Sequence, residues 1–281
     1  MNAHTVRRLM KNGFNFVRNQ HGDYTKVFST KVTPNKKKYR EEERFDHSWR
    51  QTNHIWSTTE IKKQISSHDK RHTPKSMSDF MMKGAMQFLY HGFNFITGYK
   101  PENPSPRSIE WRLIILESFA GVPGFIGAGF RHFYSLRALR RDHGMIFTLL
   151  EEAENERMHL LTCLTMFEAN RLTRFLVVVA QVGMTPMLML TYAVHPPALH
   201  RFVGYLEETA VQTYFNIITH VETEGTELNK AWAHLRAPDI AITYWMLPET
   251  ERTWLDVLKR MLADEAHHRD VNHTFAALPA N

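Results

Sequence analysis

The stretch that decides the fold is "ADEAHHRDVNH", residues 263–273. It crowds Asp264, Glu265, Arg269, Asp270 and three histidines into eleven positions. It follows "TWLDVLKRML" (253–262), whose apolar spacing predicts an ordinary amphipathic helix. Glu265 and His268 stand three apart, so they share one face of that helix. The same face runs back through Leu258, Met261 and Leu262 and forward through Asn272 and Phe275. An ionisable pair therefore interrupts the stripe that should be buried, where an unpaired carboxylate is costly.

A second copy of this pattern lies upstream. In "EEAENERMHLLTCL" (151–164), Glu156 and His159 repeat Glu-x-x-His in line with Leu149, Ala153, Leu160, Cys163 and Phe167. The bare motif is weak, because 20 Glu and 17 His in 281 residues produce about one copy by chance. The setting carries the argument, since both copies sit on apolar faces. Two further segments each put one carboxylate on such a face. Glu117 lies among Leu113, Leu116 and Ala120, and Glu207 among Val203, Leu206, Ala210 and Tyr214. Two helices with a lone Glu and two with Glu-x-x-His form the ligand pattern of di-iron and di-manganese carboxylate bundles. Four carboxylates balance two divalent ions, and two neutral imidazoles complete the shells. Glu117, Glu156, His159, Glu207, Glu265 and His268 are thus the candidate metal ligands. The competing reading, four unrelated buried Glu in salt bridges, needs four coincidences on four successive helices.

The rest of the chain fits an all-α protein: a ferritin-like four-helix bundle with a di-iron carboxylate centre plus two additional membrane-surface helices. Hydrophobic residues make up 43% of the chain, enough for a sizeable core, and glycine (13) and proline (12) are sparse. Periodicity predicts helices at 76–98, 108–141, 144–172, 175–194, 198–222 and 251–276, with "TEGTELNKAWAHLRAPD" as a loop. Segment 175–194 is about twenty residues without charge, the signature of a membrane span. A single span there would put Glu156 and Glu207 on opposite sides of a membrane. An interfacial or bundle-packed helix avoids that conflict, and the Met- and Phe-rich helix at 76–98 offers a second contact. Residues 1–22 carry Arg7, Arg8, Lys11 and Arg18 without an acid, and place Val6, Leu9, Met10 and Phe14 at helical spacing, as in a mitochondrial targeting peptide. Residues 23–75 read as an extended N-terminal arm whose Trp49, Ile55, Trp56 and Ile61 dock on the main body or on a second subunit. Residues 76–281 form the di-iron helical bundle domain. The net charge of +6 suits an anionic membrane surface or nucleic acid, or an organelle protein with a basic leader. The lone Cys163 excludes an intrachain disulfide framework.

The blocks "LLEEAENERMHL" (149–160), "ADEAHHRDVNH" (263–273), "LES" (116–118), "YLEET" (205–209), "ITYWMLP" and "HRFVGY" together resemble the alternative oxidase family, over about residues 105–276. The resemblance implies the same six ligands holding two iron ions. It implies oxidation of two ubiquinols with reduction of O2 to two waters, without proton pumping and insensitive to cyanide. It implies a monotopic homodimer on the matrix side of the inner mitochondrial membrane, with no nucleic-acid partner. Tyr214 matches the family's redox-active tyrosine. Arg112, Leu116, Leu206, Ala210 and Thr213 match its quinol pocket, and Asn155, Asp264, Tyr244 and Trp245 match its outer shell, where Asp264 or Asp270 would orient a ligand histidine. Ser118, Thr209 and Leu262 depart from the family pattern, and Thr209 lies beside the quinol positions. A plastid-type plastoquinol oxidase or a di-iron quinone hydroxylase would share the ligands. A ferritin-like storage protein would lack the apolar stripes at 76–98 and 175–194.

Overall fold

The computed structural model describes residues 54–278, together with the backbone of residues 15–18 and 24–27. The chain divides into two units, Met1–Arg44 and Phe45–Asn281. In the first, β1 (Asn15–Arg18) and β2 (Tyr24–Val27) pair antiparallel, with Asn15 opposite Val27. The residues read at helical spacing, Val6 to Phe14, lie outside the described residues, as does Trp49 of the arm.

The second unit is helical. α1 (Thr58–Ser66) precedes α2 (Met77–Thr97), α3 (Pro106–Ala138), α4 (Met145–Met166), α5 (Arg171–Val194) and α6 (Pro196–Glu222). Two short helices, α7 (Glu227–Trp232) and α8 (Asp239–Tyr244), lead to α9 (Trp254–Ala277). The six long helices expected from periodicity are all present, with shifted ends. Local chemistry sets those ends. Thr253 caps α9 through a reciprocal pair with Asp256, so the helix starts later than residue 251. Pro196 needs no N–H donor and opens α6 in its first turn, earlier than residue 198. Asn170 accepts from the Thr173 N–H and starts α5 where α4 was expected to continue. The expected loop after residue 222 contains α7, which Thr226 caps.

Two helix pairs make the bundle: α3 packs along α4, and α6 along α9. Gly121 and Gly124 let the first pair approach closely, since an added Cβ would lie 2.8 Å from the Ala153 carbonyl oxygen or 2.7 Å from that of Leu149. That contact sets Glu117 of α3 across from Glu156 of α4. α2 lies over α6, and α5 over α3, which places the two additional helices outside the four. α5 turns most of its surface outward: its most apolar window is 11% buried, against 56% for that of α3. The core runs through Leu113, Cys163, Val211, Ile217, Leu258 and Met261, all within 1% of full burial. Cys163 packs there as a small apolar residue, its thiol pKa pushed well up by burial. Part of the arm belongs to this body: Ile61 is buried, and α1 packs on α9.

Candidate metal centre

Four helices converge on one point. Glu117, Glu156, His159 and Glu265 each offer a ligand atom, and these atoms lie within 4.8 Å of one another. The His159 Nδ1 is 3.2 Å from Glu265, 3.5 Å from Glu117 and 3.7 Å from Glu156. The other two expected ligands stand at the edge of this group. His268 places Nδ1 2.7 Å from Glu156 Oε1, and Glu207 of α6 faces Glu265. All six are at most 6% exposed.

The donor set fits a metal pair. Buried polar atoms are almost always hydrogen-bonded, yet Glu117 Oε2, both oxygens of Glu156, Glu207 Oε1, His159 Nδ1 and His268 Nδ1 have no hydrogen-bond partner. These are the atoms that face one another. Burial raises the carboxyl pKa of Glu156 and Glu207 well above the ordinary range, and the neighbouring Glu265 adds to both. Burial lowers the pKa of His268 far below that of a free imidazole, which keeps it neutral as ligation requires. Burial alone would lower His159 too, but its bond to Asp264 and the carboxylates of Glu117, Glu265 and Glu156 around its Nδ1 carry it well above its usual value. A site this short of counter-charge binds protons or divalent cations, and Glu and His donors in this ratio suit iron or manganese.

The second nitrogen of His159 is fixed from behind. Its Nε2 lies 3.0 Å from Asp264 Oδ2, the carboxylate–histidine arrangement that aims the opposite nitrogen at a metal. Asp264 also accepts from Trp56 Nε1 at 2.6 Å, Trp245 Nε1 at 2.9 Å and Asn155 Nδ2 at 3.1 Å. Asn155 Nδ2 donates to the Tyr244 hydroxyl as well. Burial would raise the Asp264 pKa, but the bond from His159 and the nearby His54 imidazole, 3.6 Å from Oδ1, hold it well below the ordinary range. Of the two aspartates considered for this post, Asp264 fills it, because Asp270 turns outward to Lys70 and Arg269.

Tyr214 is buried on α6 and donates its hydroxyl to Glu117 Oε1 at 2.7 Å. Burial, then Glu117, raises its pKa well above 10 and keeps it protonated. Arg112 is 1% exposed. Its partners among the described residues are Asn94 Oδ1 at 2.5 Å and the rings of Tyr99, Phe93 and Tyr90, with no carboxylate. Its Nε has no partner. Leu116 and Leu206 are half-buried, as is Ala210. Thr213 turns its hydroxyl to the Thr209 carbonyl at 2.9 Å.

Sequence reasoning missed a further buried group. Glu152 lies one turn before Glu156 and accepts from Asn272 Nδ2 at 2.7 Å. Burial pushes its carboxyl up to about 8. The Asn272 oxygen faces His200 Nδ1 at 3.1 Å, so His200 carries its proton on Nδ1, and burial pulls its pKa down to about 4. The other two histidines of residues 263–273 have partners of their own: His273 reaches Glu208 at 2.8 Å, and His267 meets Trp56 edge-on.

Bundle and site together define a helical protein of the carboxylate–histidine metal-centre class. Residues 56–277 match the family model described as alternative oxidase, and the chain belongs to that family. It is 45% identical to "Alternative oxidase, mitochondrial" of Emericella nidulans and 44% identical to that of Ajellomyces capsulatus, with 73% of this chain and 60% of each relative covered. The protein of the same name from Cryptococcus neoformans is 42% identical over 73% of this chain and 56% of its own. The chain spans about 60% of the length of the first two relatives.

Proposed function

We propose that this chain is a di-iron ubiquinol oxidase that couples oxidation of two ubiquinols to reduction of one O2 to two waters. The observation that carries the reading is the buried cluster of Glu117, Glu156, His159 and Glu265, with His268 and Glu207 at its edge and Tyr214 bonded to one of its carboxylates. Two iron ions held by Glu117, Glu156, His159, Glu207, Glu265 and His268 would supply the electron storage and O2 chemistry that amino-acid side chains lack. Each quinol loses two electrons and two protons, and O2 takes up four of each, so the reaction balances without an external proton. It moves no charge across a membrane.

The remaining roles follow from the surroundings. Arg112 presents an unpartnered buried donor, suited to a quinol oxygen, and Leu116 on its own helix with Leu206, Ala210 and Thr213 on α6 are assigned to the walls of the quinol pocket. Tyr214 stands with its hydroxyl on Glu117, positioned to pass an electron and its proton between quinol and metal site. Asp264 sets the tautomer of His159. The outward apolar residues of α2, among them Phe80, Phe88 and Phe95, and of α5, among them Phe175, Val182 and Leu190, are 61–90% exposed and suit the surface of a bilayer. α5 cannot be a lone span, because Glu156 before it and Glu207 after it serve one cluster. We assign the protein to the matrix face of the inner mitochondrial membrane as a monotopic homodimer, with residues 1–22 as its leader, 23–75 as an arm and 76–281 as the di-iron domain. The test is oxygen uptake by detergent-purified, iron-loaded protein with ubiquinol and cyanide present. Quinol-dependent, cyanide-resistant uptake is expected, and a folded, iron-loaded sample without it refutes the reading.

A further inference from the structure

A small cavity between α4 and α9 reaches His268, the expected ligand at the edge of the cluster, and none of the residues assigned to quinol lines it. Thr148, Glu151 and Glu152 of α4 line it, with His267, His268 and Val271 of α9. His54 closes one edge. It is open on one side, and its free space holds about one water molecule. Exposure grades along it: Glu151 and His267 are half-buried, while Glu152 and the expected ligand His268 are buried. Glu152 is 5% exposed, and its second oxygen, Oε2, has no hydrogen-bond partner. Its first oxygen is tied to Asn272, whose amide also donates to the His268 carbonyl at 3.1 Å. The carboxyl that carries this unpartnered oxygen thus lines a water-sized space that reaches the expected ligand His268.

We propose that this cavity is a water port of the metal centre, with Glu152 Oε2 as the hydrogen-bonding group that holds a water between the cluster and solvent. The assignment of that water as product rests on the quinol-oxidase reading; the port itself does not. Reduction of one O2 forms two waters inside a cluster whose six residues are all at most 6% exposed, and those waters need an exit. The cavity provides one that does not pass through the apolar surroundings of Leu116 and Leu206. A leaving water hydrogen-bonds to Glu152 Oε2 and is handed outward past Glu151 and His267. No bond is formed or broken at Glu152 in this transfer.

The test uses the iron-loaded enzyme and two variants, Val271→Phe, which fills the cavity, and Glu152→Gln, which keeps its shape and the contact to Asn272. Iron per chain is measured first. Each sample is then mixed with D2O, and the appearance of deuterium coupling in the magnetic-resonance signal of the iron centre is followed in time. Val271→Phe is expected to slow deuterium entry and kcat roughly tenfold with KM for ubiquinol unchanged. Glu152→Gln is expected to slow both less, with iron retained, and it decides the matter if Val271→Phe does not load iron. Deuterium entry at the wild-type rate in the iron-loaded variants, or wild-type kcat in them, overturns the port. A wild-type enzyme with no ubiquinol-driven uptake would instead sink the quinol-oxidase reading, and the deuterium measurement would still decide the port.

Discussion

Asp264→Asn probes the support of the metal site without touching an expected ligand. Asp264 Oδ1 accepts from Trp56, and Oδ2 from His159, Asn155 and Trp245. Asparagine keeps one oxygen. If that oxygen takes the Oδ2 position, the new amide points its hydrogens at the Trp56 N–H and leaves a donor unmatched, a cost of about 1–3 kcal/mol. The three remaining bonds change from a charged to a neutral acceptor and lose about half their strength. The metal-free fold should therefore lose on the order of 3–5 kcal/mol. The imidazole of His159 becomes a weaker donor towards the cluster, and loss of such a partner typically lowers metal affinity by about 10–100-fold. Iron affinity is measured by competition with a chelator, and stability by urea unfolding of the metal-free protein. Wild-type iron affinity in a folded Asp264→Asn protein would refute the role given to this carboxylate.

Glu156→Ala should abolish iron binding and oxygen uptake together, measured as metal per chain and quinol-dependent oxygen consumption, because both Glu156 oxygens face the cluster. Tyr214→Phe should retain its iron yet lose kcat by about 100-fold or more; unchanged kcat would remove the tyrosine from the reaction. In the metal-free protein, Glu152 has its carboxyl raised from an ordinary 4.5 to about 8. Between those values the unfolded chain ionises while the folded one keeps its proton, so this group makes stability fall with rising pH by about 1.4 kcal/mol per pH unit. The pH dependence of urea midpoints should accordingly flatten over that window in Glu152→Gln. Phe88→Asp and Val182→Asp, at positions 78% and 69% exposed, should each weaken binding to anionic vesicles by about tenfold, read by co-sedimentation, without loss of iron.

Much of the site was legible because helix geometry turns spacing into direction. Glu156 and His159, and Glu265 and His268, declare a shared face by standing three apart, and the apolar stripes around Glu117 and Glu207 mark those carboxylates as buried. The bundle followed, since each stripe needs a partner. What stayed hidden were contacts that local spacing does not encode. Trp56 meets Asp264 across 208 residues, and nothing in the polar arm around it announces that pairing. Glu152 lies in the acidic run "EEAENE", where Glu154 is exposed and pairs with Arg157, so its burial was masked by its neighbours. The cage around Arg112 comes from Tyr90, Phe93 and Tyr99, which in sequence look like one side of an ordinary apolar helix and its end. Helix ends shifted wherever a cap or a proline outweighed the apolar period, as at Thr253 and Pro196.

The central claim is that six buried residues on four helices hold two metal ions, and anaerobic titration of the metal-free protein with ferrous iron tests it most directly. Saturation at two irons per chain is expected, with the two ions magnetically coupled after oxidation and both lost in Glu156→Ala. Saturation at zero or one iron in folded protein, or two irons that persist in Glu156→Ala, would contradict it.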